Sequence, residues 1–95
     1  MKLDDKIRSR KIAYLFKRNS AIAFELALLY FILAKRKTAV KKIGDICLKA
    51  IYWLKKAGIE VPAYLKQLSP FGQLEELEKV LVFNKASVGA RIGIA

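Results

Sequence analysis

The residues of this 95-residue sequence that could do chemistry are its 19 lysines and arginines, and the chemistry they offer is the binding of polyanions. Lys35, Arg36, Lys37, Lys41, Lys42 and Lys49 form the densest cluster. Lys42, Lys49 and Lys56 recur every seven residues, so on a helix they fall in one stripe. Asp45 stands four residues from both Lys41 and Lys49, so one carboxylate serves two lysines and the stripe stays positive. Arg8, Arg10 and Lys11 form a second set in an amphipathic N-terminal segment. Cations so spaced meet phosphates and read no bases. No recognition helix rich in Asn, Gln and Arg accompanies them. The expected nucleic-acid-binding residues are therefore Arg8, Arg10, Lys11, Lys35, Arg36, Lys37, Lys41, Lys42, Lys49 and Lys56. They would hold the backbone of DNA or RNA in a salt-sensitive way. The competing reading of the same charge is a solvated face that keeps a basic protein soluble. Tyr52 and Trp53 adjoin the stripe; such aromatics stack bases in single-strand binders and more commonly serve the core.

Other chemistry is scarce. The sequence has no His, one Cys and one Met. That removes a His base, a His or multi-Cys metal site and a disulfide. Glu75, Glu76 and Glu78 read as a solvated face, and Cys47 as a small hydrophobe on an apolar seam. The expectation is a non-enzymatic protein with no catalytic residues, no metal ligands and no cofactor.

The charge is lopsided. The formal net charge is +11, and all of that excess falls within residues 1–56, which carry 15 basic and four acidic residues. Residues 57–95 carry four of each. This asymmetry suggests a polyanionic partner, nucleic acid first and an anionic membrane surface less readily. Asn and Gln occur twice each while Lys abounds, which resembles the composition of hyperthermophile proteins without their Glu enrichment.

The elements that must position these charges are helices. With 55% apolar and 28% charged residues, the chain has the composition of one folded domain, 1–95. Residues 4–18 predict a basic amphipathic helix with Ile7, Ala13, Tyr14, Leu15 and Phe16 on its apolar side and Asp4 and Asp5 at its positive dipole end. Asn19-Ser20 predicts a break or cap. Residues 20–57 predict a core helical hairpin: an apolar helix over 20–34, a turn at 35–38 with Thr38 as N-cap, and a helix over 39–57. On that second helix Val40, Ile43, Cys47, Ala50, Leu54 and Ala57 recur at steps of three and four, a seam of core type. Gly58 supplies its stop. Residues 62–83 predict two shorter helices, started by Pro62 and by Ser69-Pro70, the second with Leu74, Leu77 and Leu81 on one face. Residues 84–95 predict an irregular apolar tail. The fold class expected is all-α, a small bundle of about four helices around a central antiparallel pair.

The apolar run from Ser20 to Ala34 carries Glu25 inside it, and its helix would reach only about 22 Å. A bilayer core needs about 30 Å. No transmembrane helix and no secretory leader are expected, and the compartment expected is the cytoplasm or a virion.

Residues 25–68, ELALLYFILAKRKTAVKKIGDICLKAIYWLKKAGIEVPAYLKQL, resemble the HEPN helical-bundle family. The features concerned are two long helices, Lys49-Ala50 on the second, and Gly58 and Pro62 before the next. The resemblance implies a dimerising helical hairpin linked to RNA cleavage and to toxin–antitoxin pairs. Nuclease members of that family carry an Arg followed a few residues later by His. This sequence has no His, so the resemblance implies a catalytically inactive interaction module.

Residues 80–95, VLVFNKASVGARIGIA, carry little charge. With the small core already filled by helices, Val88, Ile92 and Ile94 are expected to dock on a second copy. A tail docking on a different surface makes a heterologous contact, which builds rings or filaments. The function expected first is a basic protein that binds nucleic-acid backbone without sequence specificity and self-assembles, as packaging, capsid or chromatin-type proteins do. The inactive HEPN-like module stands second and a peripheral membrane protein third.

Overall fold

The computed structural model describes the backbone of residues 2–91 and the side chains of residues 2–84. The chain is all-α over that span: α1 (Leu3–Lys17), α2 (Ser20–Lys35), α3 (Val40–Lys56), a 3-10 turn (Ala63–Gln67) and α4 (Pro70–Arg91).

Apolar sequence dictates the centre. α2 buries Ala23, Phe24, Leu26, Ala27, Leu29, Tyr30, Phe31 and Ala34, so protein surrounds it on most sides. The short turn after it returns the chain as α3, and the α2–α3 pair makes the most extensive packing in the molecule. Ile43, Cys47, Ala50 and Leu54 of the α3 seam are buried, as their spacing predicts. Val40 is the exception: it opens α3 and remains 48% exposed, ahead of the region where the helices meet. Gly44 brings α4 close, since a side chain there would stand 3.4 Å from the Pro70 ring.

Local signals set most of the boundaries. Asn19 Oδ1 accepts a 2.7 Å hydrogen bond from the Ala21 amide and caps α2. Ser69 Oγ accepts from the Gly72 amide at 3.3 Å, with Pro70 as the first residue of α4. Gly58 takes φ +79°, and the Ile59 amide reaches back to the Leu54 carbonyl at 3.0 Å to close α3. Between α1 and α2 the chain turns through Arg18, which holds a left-handed φ of 40°. Its amide donates to the Tyr14 carbonyl at 2.7 Å.

Four expectations need correction. Thr38 does not cap α3; the N-cap is Ala39, whose side chain can accept no hydrogen bond. The segment after Pro62 winds as a 3-10 turn, with Pro62 as its N-cap rather than its first residue. It is too short for a stable α-helix, and the approach of Pro70 disfavours α geometry at Ser69. The Gln73 amide nitrogen ties this turn to α4 by donating to the Lys66 carbonyl at 3.3 Å. On α1 only Ile7 is buried, with Leu3 and Tyr14 packed partly beside it. Leu15 and Phe16 lie one and two positions beyond Tyr14, which rotates them off that face. Finally, α4 runs on to Arg91, where an irregular tail was expected from residue 84. No proline interrupts residues 84–91, and one interior glycine costs a helix only about 1 kcal/mol. Of the three expected oligomer residues, Val88 falls on the α4 backbone with its side chain outside the described residues, and Ile92 and Ile94 lie outside them altogether.

Candidate nucleic-acid interface

α1 lies antiparallel on one flank of α2, and this brings its cations to α3. Arg8 and Lys11 of α1, Lys49 of α3 and Asp4 line one open groove of about 400 Å³, floored by Ile7, Tyr30 and Leu33. The Lys11 ammonium stands 5.4 Å from the centroid of the Tyr30 ring, and Lys49 Nζ stands 5.9 Å from the same centroid. Tyr30 is almost fully buried, so the ring is a fixed floor. Two lysines far apart in sequence are thus held by one aromatic ring from different helices. Each such contact is worth about 0.5–1 kcal/mol at an accessible site.

On α3, Lys49 is the groove's lining residue. Lys42 and Lys56 stand one heptad on either side of Lys49, exposed on the same side of α3 and outside the groove's lining. Trp53 braces the two walls: its ring meets Tyr14 of α1 edge-on at 5.1 Å. Tyr52 meets Trp53 edge-on at 5.3 Å and carries Lys56 at 5.4 Å from its centroid. Trp53 is therefore a packing residue, while Tyr52 is exposed on the solvent side of α3.

The remaining predicted cations divide. Lys35 ends α2 and Arg36 and Lys37 follow in the α2–α3 turn, all exposed, with Lys35 Nζ 5.5 Å from the Phe31 centroid. The antiparallel order sets this turn at the end of the bundle where α1 begins, next to Lys41 and Lys42 at the start of α3. Arg10 does not join them. Its Nε pairs with Glu25 Oε1 at 3.0 Å, and it faces a separate hollow on the other side of α1, with Lys6, Ser9 and Leu29. Glu25 thereby finds the cationic partner that its apolar surroundings call for. Asp45 pairs with neither Lys41 nor Lys49 among the described residues, so the α3 stripe keeps its full charge. Elsewhere, the neighbouring Lys66 ammonium holds Lys55 below the ordinary lysine value.

Tyr30 and Asp4 were not visible as site residues in the sequence. Tyr30 sits within an apolar run that reads as core, and only the α1–α2 crossing turns it into a floor. No helix among the described residues is long and apolar enough to cross a membrane. Compared with protein-family models, curated proteins and solved structures, the chain shows no significant match.

Proposed function

We propose that this protein binds the phosphate backbone of nucleic acid without reading sequence, along the α1–α3 groove and the adjoining basic turn, and assembles with copies of itself on the polymer. The observation that carries the reading is the convergence of Lys11 and Lys49 on Tyr30, with Arg8 beside them. Solubility alone needs charges that are dispersed and mobile. Here cations from two helices border one groove over a rigid ring, and Lys42 and Lys56 flank Lys49 at seven-residue spacing on α3. The net charge of +11 favours encounter with any polyanion. The groove presents ammonium and guanidinium donors and few side-chain acceptors, which suits phosphate oxygens and leaves bases unread. A packaging or chromatin-type role follows from binding of this kind.

Two charge-reversal variants test the reading. Arg8→Glu/Lys11→Glu/Lys49→Glu removes the groove, and Lys35→Glu/Arg36→Glu/Lys37→Glu/Lys41→Glu/Lys42→Glu removes the turn and the start of α3. Each should abolish binding to a short duplex in a gel-shift titration at low salt. A control, Glu60→Lys, at an exposed carboxylate outside both surfaces, should bind at least as tightly as the parent. If the groove variant binds as the parent does, the groove is not the site.

A further inference from the structure

The outer face of α1 carries an apolar patch that the fold leaves uncovered. Phe16 is 84% exposed, Leu15 71% and Ile12 50%. Ile12, Leu15 and Phe16 stand at i, i+3 and i+4, so their side chains gather on one surface. Arg8 lies one turn before the patch, and Lys17 and Arg18 follow it. None of these three cations pairs with a carboxylate among the described residues.

A different flank of α2 carries the complement. There α2 and α4 leave a groove of about 150 Å³ lined by Phe24, Leu28, Phe31, Glu78, Leu81 and Val82. An apolar cavity of about that volume accommodates a benzene ring. Val82 and Phe83 on its α4 rim are themselves highly exposed. Glu75 and Glu78 line the same rim and make no ion pair among the described residues, and Lys79 beside them is paired with Glu76 at 3.4 Å. One surface is an aromatic knob ringed by cations; the other is a ring-sized apolar slot edged by carboxylates.

We infer that Phe16 of one copy inserts into the Phe24–Phe31–Val82 groove of the next, with Lys17 and Arg18 facing Glu75 and Glu78. The two surfaces flank α2 on different sides, since α1 meets it at Glu25 and Leu29 while the groove opens at Phe24, Leu28 and Phe31. One chain therefore offers both at once, and the contact is heterologous: it propagates into a ring or an open filament. The inference deepens the assembly half of the function proposed above and supplies a connector within the described residues. Self-repulsion at +11 opposes the contact at low salt, and screening at physiological ionic strength relieves it, so the free protein assembles as well.

The test uses the full chain without nucleic acid, its mass read by light scattering at about 0.15 M salt, where the Debye length is about 8 Å. Phe16→Asp spoils the knob and Val82→Glu the groove; both positions are exposed, so both chains fold, as circular dichroism checks. The parent should form a series of oligomers and each variant alone should run as the 10.8 kDa monomer. Mixed together, the variants should stop at dimers, because one intact knob meets one intact groove and neither free end can extend. The inference is overturned if Phe16→Asp assembles as the parent does, or if the mixture stays monomeric. It is overturned equally if deletion of residues 86–95 alone dissociates the oligomer, or if the parent is monomeric and uses Phe16 only to sediment with anionic vesicles. Persistent assembly of Phe16→Asp would sink this connector alone, whereas a monomeric parent would sink the assembly reading with it; nucleic-acid binding is measured apart from both.

Discussion

Tyr30 turns scattered lysines into a site, because a buried ring fixes what two flexible side chains cannot fix alone. The contrast is Arg10, which lies one residue from Lys11 and is spent on Glu25 instead. Residue type and local spacing identified the cations; which of them converge depended on how α1 crosses α2, a long-range fact that spacing does not encode. Cys47 was legible from its seam position, and it is fully buried and free. Burial pushes its thiol up to about 11 from an ordinary 9.0. In the native protein at neutral pH a thiol reagent should therefore label Cys47 slowly, and rapidly once urea unfolds the chain. The linkage has a definite sign. The unfolded chain loses this proton first, so the stability Cys47 contributes is complete below pH 9.0 and is lost as pH rises toward about 11. Urea midpoints should fall more steeply over that window for the parent than for Cys47→Ala. Equal slopes, or fast native labelling, would mean the seam is open to solvent.

At the scale of elements, α3 carries both the core and the site, on different faces of one helix. Leu54 is fully buried on the seam, while Lys49 is exposed on the stripe. Leu54→Ala should cost about 2–5 kcal/mol, in the range of other buried leucine truncations. Lys49→Ala should cost less than about 1 kcal/mol, the worth of an exposed cation–π contact. Equal melting temperatures for the two would contradict this division of faces. α3 was readable because its pattern repeats without conflict, and the caps at Asn19, Gly58 and Ser69 were readable because each acts within four residues. α1 was harder. Its apolar residues fall on two faces, and only one of them is used within the chain, so Leu15 and Phe16 looked like core until α2 fixed the rotation. The length of α4 was missed for a related reason: a helix with no strong stop signal continues until something ends it, and the sequence after Phe83 contains no proline.

Across the whole molecule, charge and apolar surface are sorted by element. α1, the α2–α3 turn and α3 hold most of the cations, while the part of α4 with described side chains carries three glutamates and one lysine. On the proposed reading such a chain would attract a polyanion on one side and offer its neighbours a knob and a slot on others. The sequence showed the asymmetry but not the groove, because grooves belong to pairs of helices. The most direct test of the account is the salt dependence of duplex binding, measured for several unrelated duplexes of one length. Backbone binding predicts a straight line of log affinity against log salt with the same slope for every sequence, and a slope shallower by about 0.9 for Lys49→Gln. Affinities that differ strongly between sequences, or a slope that Lys49→Gln leaves unchanged, would contradict it.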